Sequence, residues 1–224
     1  MILKKYMWIK KQSVMHKSEN ISHQCAVILL AAGSSSRMGK PKQLLEYKEY
    51  NFLSHMLNII SSCKAGIVIV VLGANAEILE KEIDDKKVFK VMNNEWKEGI
   101  ASSIRCGLTA LPAILPSCEA VLLVTCDQPY VSASLLNDLI DTHTETGQPI
   151  VASSYANTFG IPALFHKSLF AELKNLKGDI GAKKIILEHK NLVTEIPFPL
   201  GNIDIDTMDD YKALNETVFE NEFK

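Results

Sequence analysis

The chain has 224 residues, of which 47% are hydrophobic and 22% are charged, the composition of a globular protein with a substantial core. Its formal net charge of −2 provides no bulk attraction to nucleic acid or to an anionic membrane surface, so we expect neither as a partner. Five cysteines without a CxxC pair predict reduced thiols in a cytoplasmic protein rather than a disulfide framework.

The first 24 residues are polar and rich in lysine, and they precede any periodic pattern. They lack the continuous apolar run of a signal peptide. We therefore predict a disordered tail over residues 1–24 and one domain over residues 25–224. The alternative that the sequence leaves open is a true start at Met15.

Short apolar runs alternate with amphipathic segments over residues 25–142, which predicts strands joined by helical crossovers. The predicted strands are residues 25–30, 67–72, 88–92 and 120–125, and the predicted helices are residues 52–60, 76–83, 102–111 and 132–142. Continuous apolar strands of this kind are typical of a parallel sheet that is buried on both faces. Pro112 is expected to end the third of these helices.

After Gln148 the elements become shorter and less regular. We predict strands at residues 149–153, 163–165 and 192–196, and helices at residues 169–176, 181–189 and from Thr207 onward. Pro197 and Pro199 are expected to cut the last of these strands. The predicted fold is α/β: a single three-layer domain with a mostly parallel, doubly wound, Rossmann-like sheet.

A loop of small and basic residues, LAAGSSSRMGKPK, covers residues 30–42 and follows the first predicted strand. The backbone N–H groups of Gly33 and of the serines at positions 34 to 36 can approach phosphate oxygens closely. Arg37 adds a forked guanidinium group and Lys42 adds a mobile ammonium group. The loop therefore predicts a site for a nucleoside triphosphate.

Two familiar phosphate-binding motifs do not fit this loop. A Walker A loop has four residues between its glycines and Ser or Thr after its lysine, whereas five residues separate Gly33 from Gly39 and Pro41 follows Lys40. A dinucleotide fingerprint needs glycine at position 35, which is serine. On composition alone, a flexible surface loop is the alternative.

Acidic residues follow the fourth predicted strand and precede the last predicted helix. Asp127 lies at the carboxyl end of a strand, where open parallel sheets bind their ligands. Asp204 and Asp206 point to one side if their segment is extended. Such carboxylates suit Mg²⁺, which binds one or two of them together with phosphate and water. Helix capping is the alternative role for Asp127, and capping by Asp206 or Thr207 is compatible with metal binding.

In its order of residues, the loop resembles the LAAGxSxRMGxPK signature of the molybdenum cofactor cytidylyl- and guanylyltransferases. Other segments are similar to elements of that family over most of the chain, from Cys25 to about Leu214. These are NNEWKEGIASSI at residues 93–104, CDQP at 126–129, GIPALF at 160–165, GDIGAKK at 178–184 and DIDTMDD at 204–210. The resemblance implies a fold like that of the nucleotide-diphospho-sugar transferases.

Three positions refine the resemblance. Met208 stands where the family usually has proline, and Lys183 stands where arginine is frequent, which removes a forked contact to an acceptor phosphate. Ala32 gives LAAG instead of the LAGG that is usual in the guanylyl branch. Ala32 therefore favours cytidylyl transfer.

The resemblance implies a nucleotidyltransferase that uses Mg²⁺, with Mn²⁺ as a substitute, to transfer CMP from CTP, or a nucleotide from another NTP, to the phosphate of molybdopterin. A molybdoenzyme would then receive the cofactor. It implies catalytic roles for Arg37, Lys42 and Asp127, and metal binding by Asp127, Asp206 and Asp204. The implied nucleotide-binding residues are Leu30, Ala31, Ala32, Gly33, Ser34, Ser35, Ser36, Arg37, Lys42, Gly73, Ser102, Ser103 and Asp127, and the implied acceptor-binding residues are Gly160, Pro162, Gly178, Asp179 and Lys183.

Other functions stay open at this stage. The acceptor can be a sugar phosphate or an alditol phosphate, and the transferred group can be guanylyl. A non-catalytic nucleotide-binding or cofactor-binding chaperone is a third alternative. The presence of both Asp127 and Asp206 argues against this last alternative, because a protein that only binds nucleotide needs no two-acid metal site.

Overall fold

A seven-stranded sheet runs through the middle of the protein, which a computed structural model describes over residues 24–83 and 88–222. Its strands are β1 Cys25–Ala31, β4 Ile67–Leu72, β5 Val88–Met92, β6 Ala120–Thr125, β7 Ile150–Tyr155, β8 Thr158–His166 and β9 Val193–Pro197. A separate hairpin consists of β2 Glu46–Tyr47 and β3 Tyr50–Asn51. The tail predicted for residues 1–24 lies outside the described residues, except for Gln24.

The helices that accompany the sheet are α1 Phe52–Ser61, α2 Ala76–Leu79, α3 Ile100–Ile114, α4 Ala133–Thr146, α5 Phe170–Lys174, α6 Lys183–Glu188 and α7 Met208–Glu222. Short 3₁₀ turns lie at Lys42–Leu44, Glu80–Glu82, Trp96–Glu98, Lys167–Leu169 and Lys190–Leu192. Within the described residues, none of these helices is long and apolar enough to cross a membrane.

The strand order β5-β4-β1-β6-β8-β7-β9 confirms a mostly parallel, doubly wound sheet. Strands β5, β4, β1 and β6 pair in parallel, as do β7 and β9, whereas β8 runs antiparallel to both of its neighbours. Because β1, β4 and β6 are parallel, their carboxyl ends meet at one edge of the sheet. The loop after β1 and the turn after β6 leave the sheet at that edge.

Strand β1 packs on both of its faces, which explains its continuous apolar sequence. All seven of its residues are buried, and alternate residues belong to two different hydrophobic clusters. One cluster includes residues of α1, α2 and α4, and the other includes residues of α3, α5 and α6. This arrangement is the predicted three-layer α/β fold.

Two boundaries differ from the prediction because of proline. Pro112 lies inside α3, which continues to Ile114, so the expectation that it ends the helix is wrong. Pro112 has no N–H group to donate to the Leu108 carbonyl oxygen, but this is one missing bond in a helix of 15 residues. Pro197 is the last residue of β9, where the sheet edge does not need its missing N–H group.

Strand β8 is nine residues long, although only residues 163–165 are predicted as strand. Gly160 and Pro162 mask its beginning because both residue types usually mark loops. A tight turn at Ala156 and Asn157, both with positive φ, joins β7 to β8 and directs this segment back along the sheet.

Candidate active site

A cleft of about 350 Å³ opens at the edge of the sheet where β1 and β6 end. Its position agrees with the general rule that open α/β sheets bind ligands beyond the carboxyl ends of their strands. The residues that line it are Leu30, Ala32, Gly33, Ser34, Lys42, Gln43, Trp96, Lys97, Gly99, Ile100, Ser103, Thr125, Cys126, Asp127 and Asp179. Predicted nucleotide-binding, metal-binding and acceptor-binding residues therefore share one cavity.

The glycine-serine loop is supported by the side chain of Gln43, a residue that is 1% exposed. Its Nε2 donates hydrogen bonds to the carbonyl oxygens of Ala31 and Gly33, each at 3.1 Å. At the end of the loop, the backbone N–H group of Lys42 donates to the Ser35 hydroxyl at 2.9 Å. Ser35 itself has a φ of 54°. These bonds hold the loop open toward the cleft in one conformation.

Lys42 lies between two of the predicted metal-binding carboxylates. Its Nζ is 2.7 Å from Oδ2 of Asp127 and 2.9 Å from Oδ1 of Asp206. Nη2 of Arg37 contacts the other oxygen of Asp206 at 2.7 Å. The fold thus brings together Arg37, Lys42, Asp127 and Asp206, although Lys42 and Asp206 are separated by 164 residues.

The charges of this group depend on one another. Burial lowers the pKa of the Lys42 ammonium, but Asp127 and Asp206 outweigh this effect and the pKa is raised above its ordinary value. Burial raises the pKa of Asp206, but the contacts with Lys42 and Arg37 bring it below its usual range. Lys42 and Asp206 are therefore both ionised at neutral pH.

Asp204 differs from the other acids of the group. Burial, followed by the charges of Asp127 and Asp206, raises the pKa of Asp204 to about 6. Asp204 has no ion-pair partner among the described salt bridges. It is therefore a weaker candidate for metal binding than the other two acids.

Asp127 and Asp206 are the acids of this group that could hold a divalent metal ion. Among residues 24–83 and 88–222 there is no cluster of three or more His, Cys, Asp or Glu side chains suited to a metal ion. Asp127 and Asp206 nevertheless contact a common cation, the Lys42 ammonium. Two carboxylates, completed by phosphate oxygens and water, are the usual environment of Mg²⁺.

The segment that carries Asp206 is fixed to the turn that carries Asp127. The backbone N–H group of Ile205 donates to the carbonyl oxygen of Asp127 at 2.9 Å. Gln128, only 2% exposed, donates from Nε2 to the carbonyl oxygens of Ile161 and Gly201 at 3.1 and 3.0 Å. The backbone segments that carry the two acids are thus attached to each other and to the neighbouring loops.

The two predicted serines of α3 occupy different positions. Ser103 lines the cleft, whereas Ser102 does not line it. Both hydroxyls accept hydrogen bonds from Nδ2 of the buried Asn93, at 2.8 Å for Ser102 and 3.1 Å for Ser103. Asn93 follows β5, so these bonds attach the start of α3 to the end of that strand.

Gly73 and Ala31 lie behind the cleft. A Cβ atom at Gly73 would come within 2.6 Å of the Ala32 carbonyl oxygen and 2.8 Å of the Trp96 Cβ, so only glycine permits this approach. The Ala31 carbonyl oxygen accepts a bond from Gln43, as described above. Both residues therefore support the loop and do not line its cavity. Ser35, Ser36 and Arg37 belong to the loop but also do not line the cavity.

The predicted acceptor-binding residues fall into two groups. Asp179 lines the main cleft, and Gly178 lies beside it against Gly99. Gly160 and Lys183 line a smaller adjoining cavity of about 160 Å³ that shares Leu30 and Ile100 with the cleft. Pro162 lines neither cavity, and its carbonyl oxygen accepts a 2.7 Å bond from the Ser153 hydroxyl.

Several residues of the site were not predicted from the sequence. Trp96 and Lys97 line the cleft, with Nζ of Lys97 5.5 Å from the centre of the Trp96 ring. Gln43 and Gln128 are buried supports. Gln43 directly follows Lys42, and Gln128 lies in the CDQP segment next to Asp127, but neither was predicted as a site residue.

Comparison with known protein families gives a match over most of the chain. The family described as "MobA-like NTP transferase domain" matches residues 27–192. The matched segment contains the loop, Asp127, Asp179 and Lys183, and it ends before Asp206.

Curated relatives match parts of the chain. Bifunctional protein GlmU from Mycobacterium marinum is 32% identical over 133 residues, which are 56% of this chain and 26% of GlmU. A probable molybdenum cofactor guanylyltransferase from Bacillus mycoides is 24% identical over 164 residues, 70% of this chain and 78% of that protein. The chain thus spans about a quarter of the length of the GlmU proteins that it matches.

Solved structures match more of the chain. Rv0371c from Mycobacterium tuberculosis H37Rv is 31% identical in sequence to this chain, and its structure superposes with a TM-score of 0.73. The superposition covers 86% of this chain and 97% of Rv0371c. A complex of that protein with manganese has a TM-score of 0.72 at 29% identity and covers 86% of this chain and 98% of the complexed chain. A nucleotidyl transferase from Methanothermobacter has a TM-score of 0.73 at 21% identity over 88% of this chain and 99% of its own, a likeness of fold alone.

Proposed function

Because this chain belongs to the MobA-like NTP transferase domain family, we propose that it transfers CMP from CTP to the phosphate of a molybdopterin-type acceptor and releases pyrophosphate. In the proposed reaction, an acceptor phosphate oxygen forms a bond to the α-phosphorus of CTP. The bond between the α-phosphorus and the bridging oxygen to the β-phosphate breaks, and pyrophosphate leaves with that electron pair.

The observation that carries the proposal is the charged group around Lys42. One ammonium group contacts two carboxylates beside the loop, and two members of this group, Lys42 and Asp127, line a cleft at the sheet edge where open α/β folds hold their ligands. A silent nucleotide-binding protein has no need of a second carboxylate that is brought from the far end of the chain. The arrangement therefore supports transfer over binding alone.

The side chains would act mainly by position and charge. The loop amides from Gly33 to Ser36, with Arg37 and Lys42, would bind the β- and γ-phosphates and stabilise the charge that develops on the leaving pyrophosphate. Once the Lys42 side chain turns from these acids toward the phosphates, Asp127 and Asp206 would hold Mg²⁺ or Mn²⁺ against the phosphates. The metal, when bound, supplies positive charge that polarises the phosphoryl group.

The acceptor would approach from the side of Asp179 and the smaller cavity. Asp179 lines the cleft, and Gly160 and Lys183 line the adjoining space. Lys183 can offer one ammonium contact to an acceptor phosphate but no forked pair. A molybdoenzyme that receives the product is part of the same proposal, as is a cytoplasmic location, which the five free thiols support.

Guanylyl transfer is the second candidate function. The relative from Bacillus mycoides, a probable molybdenum cofactor guanylyltransferase, favours it. Ala32, which lines the cleft in place of the glycine usual in that branch, favours CTP. The two nucleotides must be compared directly.

We propose to incubate the protein with molybdopterin, Mg²⁺ and each of the four NTPs in turn, and to measure pyrophosphate. The expected result is release with CTP, dependent on both Mg²⁺ and molybdopterin. Release with GTP but not with CTP contradicts the cytidylyl proposal. Pyrophosphate release with a sugar phosphate or an alditol phosphate, but not with molybdopterin, contradicts the proposal that molybdopterin is the acceptor. The absence of release with every NTP and every one of these acceptors contradicts transferase activity.

A further inference from the structure

The segment around Gly178 is attached to the start of α3 by two side chains that do not line the cleft, Arg105 and Glu98. Nη1 of Arg105 donates to the Leu176 carbonyl oxygen at 2.8 Å and to Oε1 of Glu98 at 2.9 Å. Its Nη2 forms a second, short contact with Oε2 of Glu98. The same Glu98 accepts a 3.1 Å bond from the Gly178 N–H group. We call these four contacts the Arg105–Glu98 clasp.

The clasp acts where two stretches of backbone approach very closely. The Ala101 N–H group, in the first turn of α3, donates to the Gly178 carbonyl oxygen at 3.1 Å. Gly99 has a φ of 118°, and a Cβ atom there would collide with the Asp179 carboxylate and come within 2.5 Å of the Gly178 carbonyl oxygen. The clasp and this approach both adjoin Asp179, which lines the cleft.

We propose that Arg105 and Glu98 are positioning residues for the acceptor, which act by holding Asp179 at its place in the cleft. The proposal rests on the proposed function, because Asp179 is assigned to the acceptor side there. The clasp binds loop backbone at two points, Leu176 and Gly178, which a simple surface ion pair does not do.

The ionic character of the clasp suits this role. The Arg105 guanidinium and the Gly178 N–H group hold the pKa of the Glu98 carboxyl below its usual range, so the contact stays charged at neutral pH. Hydrogen bonds between ionised partners are shorter and stronger than neutral ones, and a two-pronged guanidinium contact fixes direction as well as distance. A lysine at position 105 can keep a contact with Glu98 but cannot reproduce the two-pronged guanidinium geometry.

The first test needs no substrate. Hydrogen exchange of the Gly178 and Ala101 amides should become at least fivefold faster in Arg105→Met and in Glu98→Gln than in the unmutated protein. Lys64→Met is the matched control, since it removes an exposed ion pair with Asp141 far from this segment in the chain. Unchanged exchange at Gly178 in both clasp variants would overturn the proposal.

The second test asks whether the clasp acts through Asp179. With CTP and molybdopterin, Arg105→Met should raise the KM for molybdopterin about tenfold and leave the KM for CTP within twofold. Asp179→Asn should do the same, and the double variant should be no worse than Asp179→Asn alone. Arg105→Lys should recover part of the lost affinity for molybdopterin, because one of the bonds can re-form.

Two results of the second test would contradict the inference: additive losses in the double variant, or an equal rise in both KM values. The absence of turnover in the unmutated protein would instead contradict the proposed function. In that case the exchange measurement still decides whether the clasp holds the Asp179 segment.

Discussion

Lys42 places one ammonium group between two carboxylates that would otherwise repel each other. The same ammonium group is proposed to bind phosphate, so it has two competing sets of anionic partners. While it contacts Asp127 and Asp206, it occupies the space in which these acids would bind a metal ion. In the proposed function, metal binding would therefore depend on the position of Lys42.

We predict that Lys42→Met binds Mn²⁺ at least tenfold more tightly than the unmutated protein in the absence of nucleotide, since the competing cation is gone. Turnover should fall at least about a hundredfold because phosphate charge is no longer neutralised. Electron paramagnetic resonance of free Mn²⁺ measures the first effect. Lys40→Met, an exposed lysine of the same loop, is the control, and unchanged Mn²⁺ binding in Lys42→Met would contradict the prediction.

Asp127→Ala should reduce turnover by a factor of about 100 or more and leave the fold intact. The Asp127 carboxylate contacts Lys42, whereas the contact of this residue with Ile205 uses its backbone oxygen and survives the substitution. Pyrophosphate release and the thermal midpoint together test this prediction. Asp209→Ala, an acid 91% exposed in its side chain, should keep full activity. Substantial activity in Asp127→Ala would show that this carboxylate is not part of the site.

At the scale of single elements, the start of α7 is closed by a reciprocal cap. The Asp210 N–H group donates to the Thr207 hydroxyl at 3.2 Å, and the Asp210 carboxylate accepts from the Thr207 N–H and hydroxyl groups at 2.7 and 2.8 Å. Thr207 is therefore the capping residue, one of the two candidates from the sequence. The carboxylate also accepts from the Asp206 N–H group, which ties the helix start to the cleft.

Thr207→Ala should lower the free energy of unfolding by about 1 kcal/mol, as is usual for the loss of such a cap.

Asp210→Asn should change the dependence of the free energy of unfolding on pH. Its hydrogen bonds to Thr207 hold the pKa of Asp210 below its ordinary value of 3.8 in the folded chain. The stability that this carboxylate contributes is thus complete above that value and is lost as the pH falls through the lowered pKa.

Denaturant unfolding between pH 2 and pH 6 measures this dependence, with Asp209→Asn as the control on the same helix. The acid side of the stability curve should be flatter in Asp210→Asn than in the control. An identical curve in both variants would show that the cap does not depend on the charge of Asp210.

Helix α3 lies against the sheet at Gly107. A Cβ atom there would come within 2.7 Å of Cγ2 of Ile28 and 3.2 Å of Cγ2 of Val71, both in buried strands. We predict that Gly107→Ala lowers the free energy of unfolding by about 1–2 kcal/mol, because overpacking outweighs the gain in helix propensity. Thr109→Ala, exposed on the same helix, should change it by less than about 0.5 kcal/mol. A stabilised Gly107→Ala would contradict this description of the interface.

The elements that could be predicted from the sequence are those with a strong local pattern. Strands β1, β4, β5 and β6 agree with the prediction to within a residue, and β1, β4 and β6 are almost entirely apolar runs. The β2–β3 hairpin was not predicted, since two-residue strands have no periodicity. It is held by tertiary contacts such as the bond from the Tyr211 hydroxyl to the Glu46 carbonyl oxygen at 2.8 Å.

At the scale of the whole molecule, β1 is shared by both layers of helices. The odd-numbered residues from Cys25 to Ala31 pack on one side and the even-numbered residues on the other. Leu29→Ala should therefore lower the stability of the whole domain by about 3 kcal/mol and leave a single transition.

Calorimetry tests this prediction. The calorimetric and van't Hoff enthalpies should be equal in the unmutated protein and in Leu29→Ala. Two resolved transitions in Leu29→Ala would show that the first strands and the segment from β7 to β9 unfold separately. Such a result would also contradict the assignment of residues 25–224 to one domain.

The motif letters predict a loop and acids as a site, and the fold brings Lys42, Asp127 and Asp206 together, whereas their roles stay a prediction. The sequence did not indicate that Lys42 contacts Asp127 and Asp206 directly, which depends on segments far apart in the chain. Arg105 and Gln128 were missed for the same reason, since their partners, Leu176, Ile161 and Gly201, are all distant in sequence. Long-range hydrogen bonds to backbone leave no periodic signal in the amino-acid sequence.

The main-chain bond between Ile205 and Asp127 has a consequence for the timing of events in the cleft. The backbone segments that carry the two carboxylates are attached to each other by this bond and are supported by the buried Gln128 amide. Replacing the Lys42 ammonium group by a metal ion between these carboxylates would then need rotation about the bonds of the lysine side chain. It would need no movement of strands or helices. Collective hinge motions of domains are slower than local side-chain motions. An exchange confined to the Lys42 side chain would therefore not wait for domain closure.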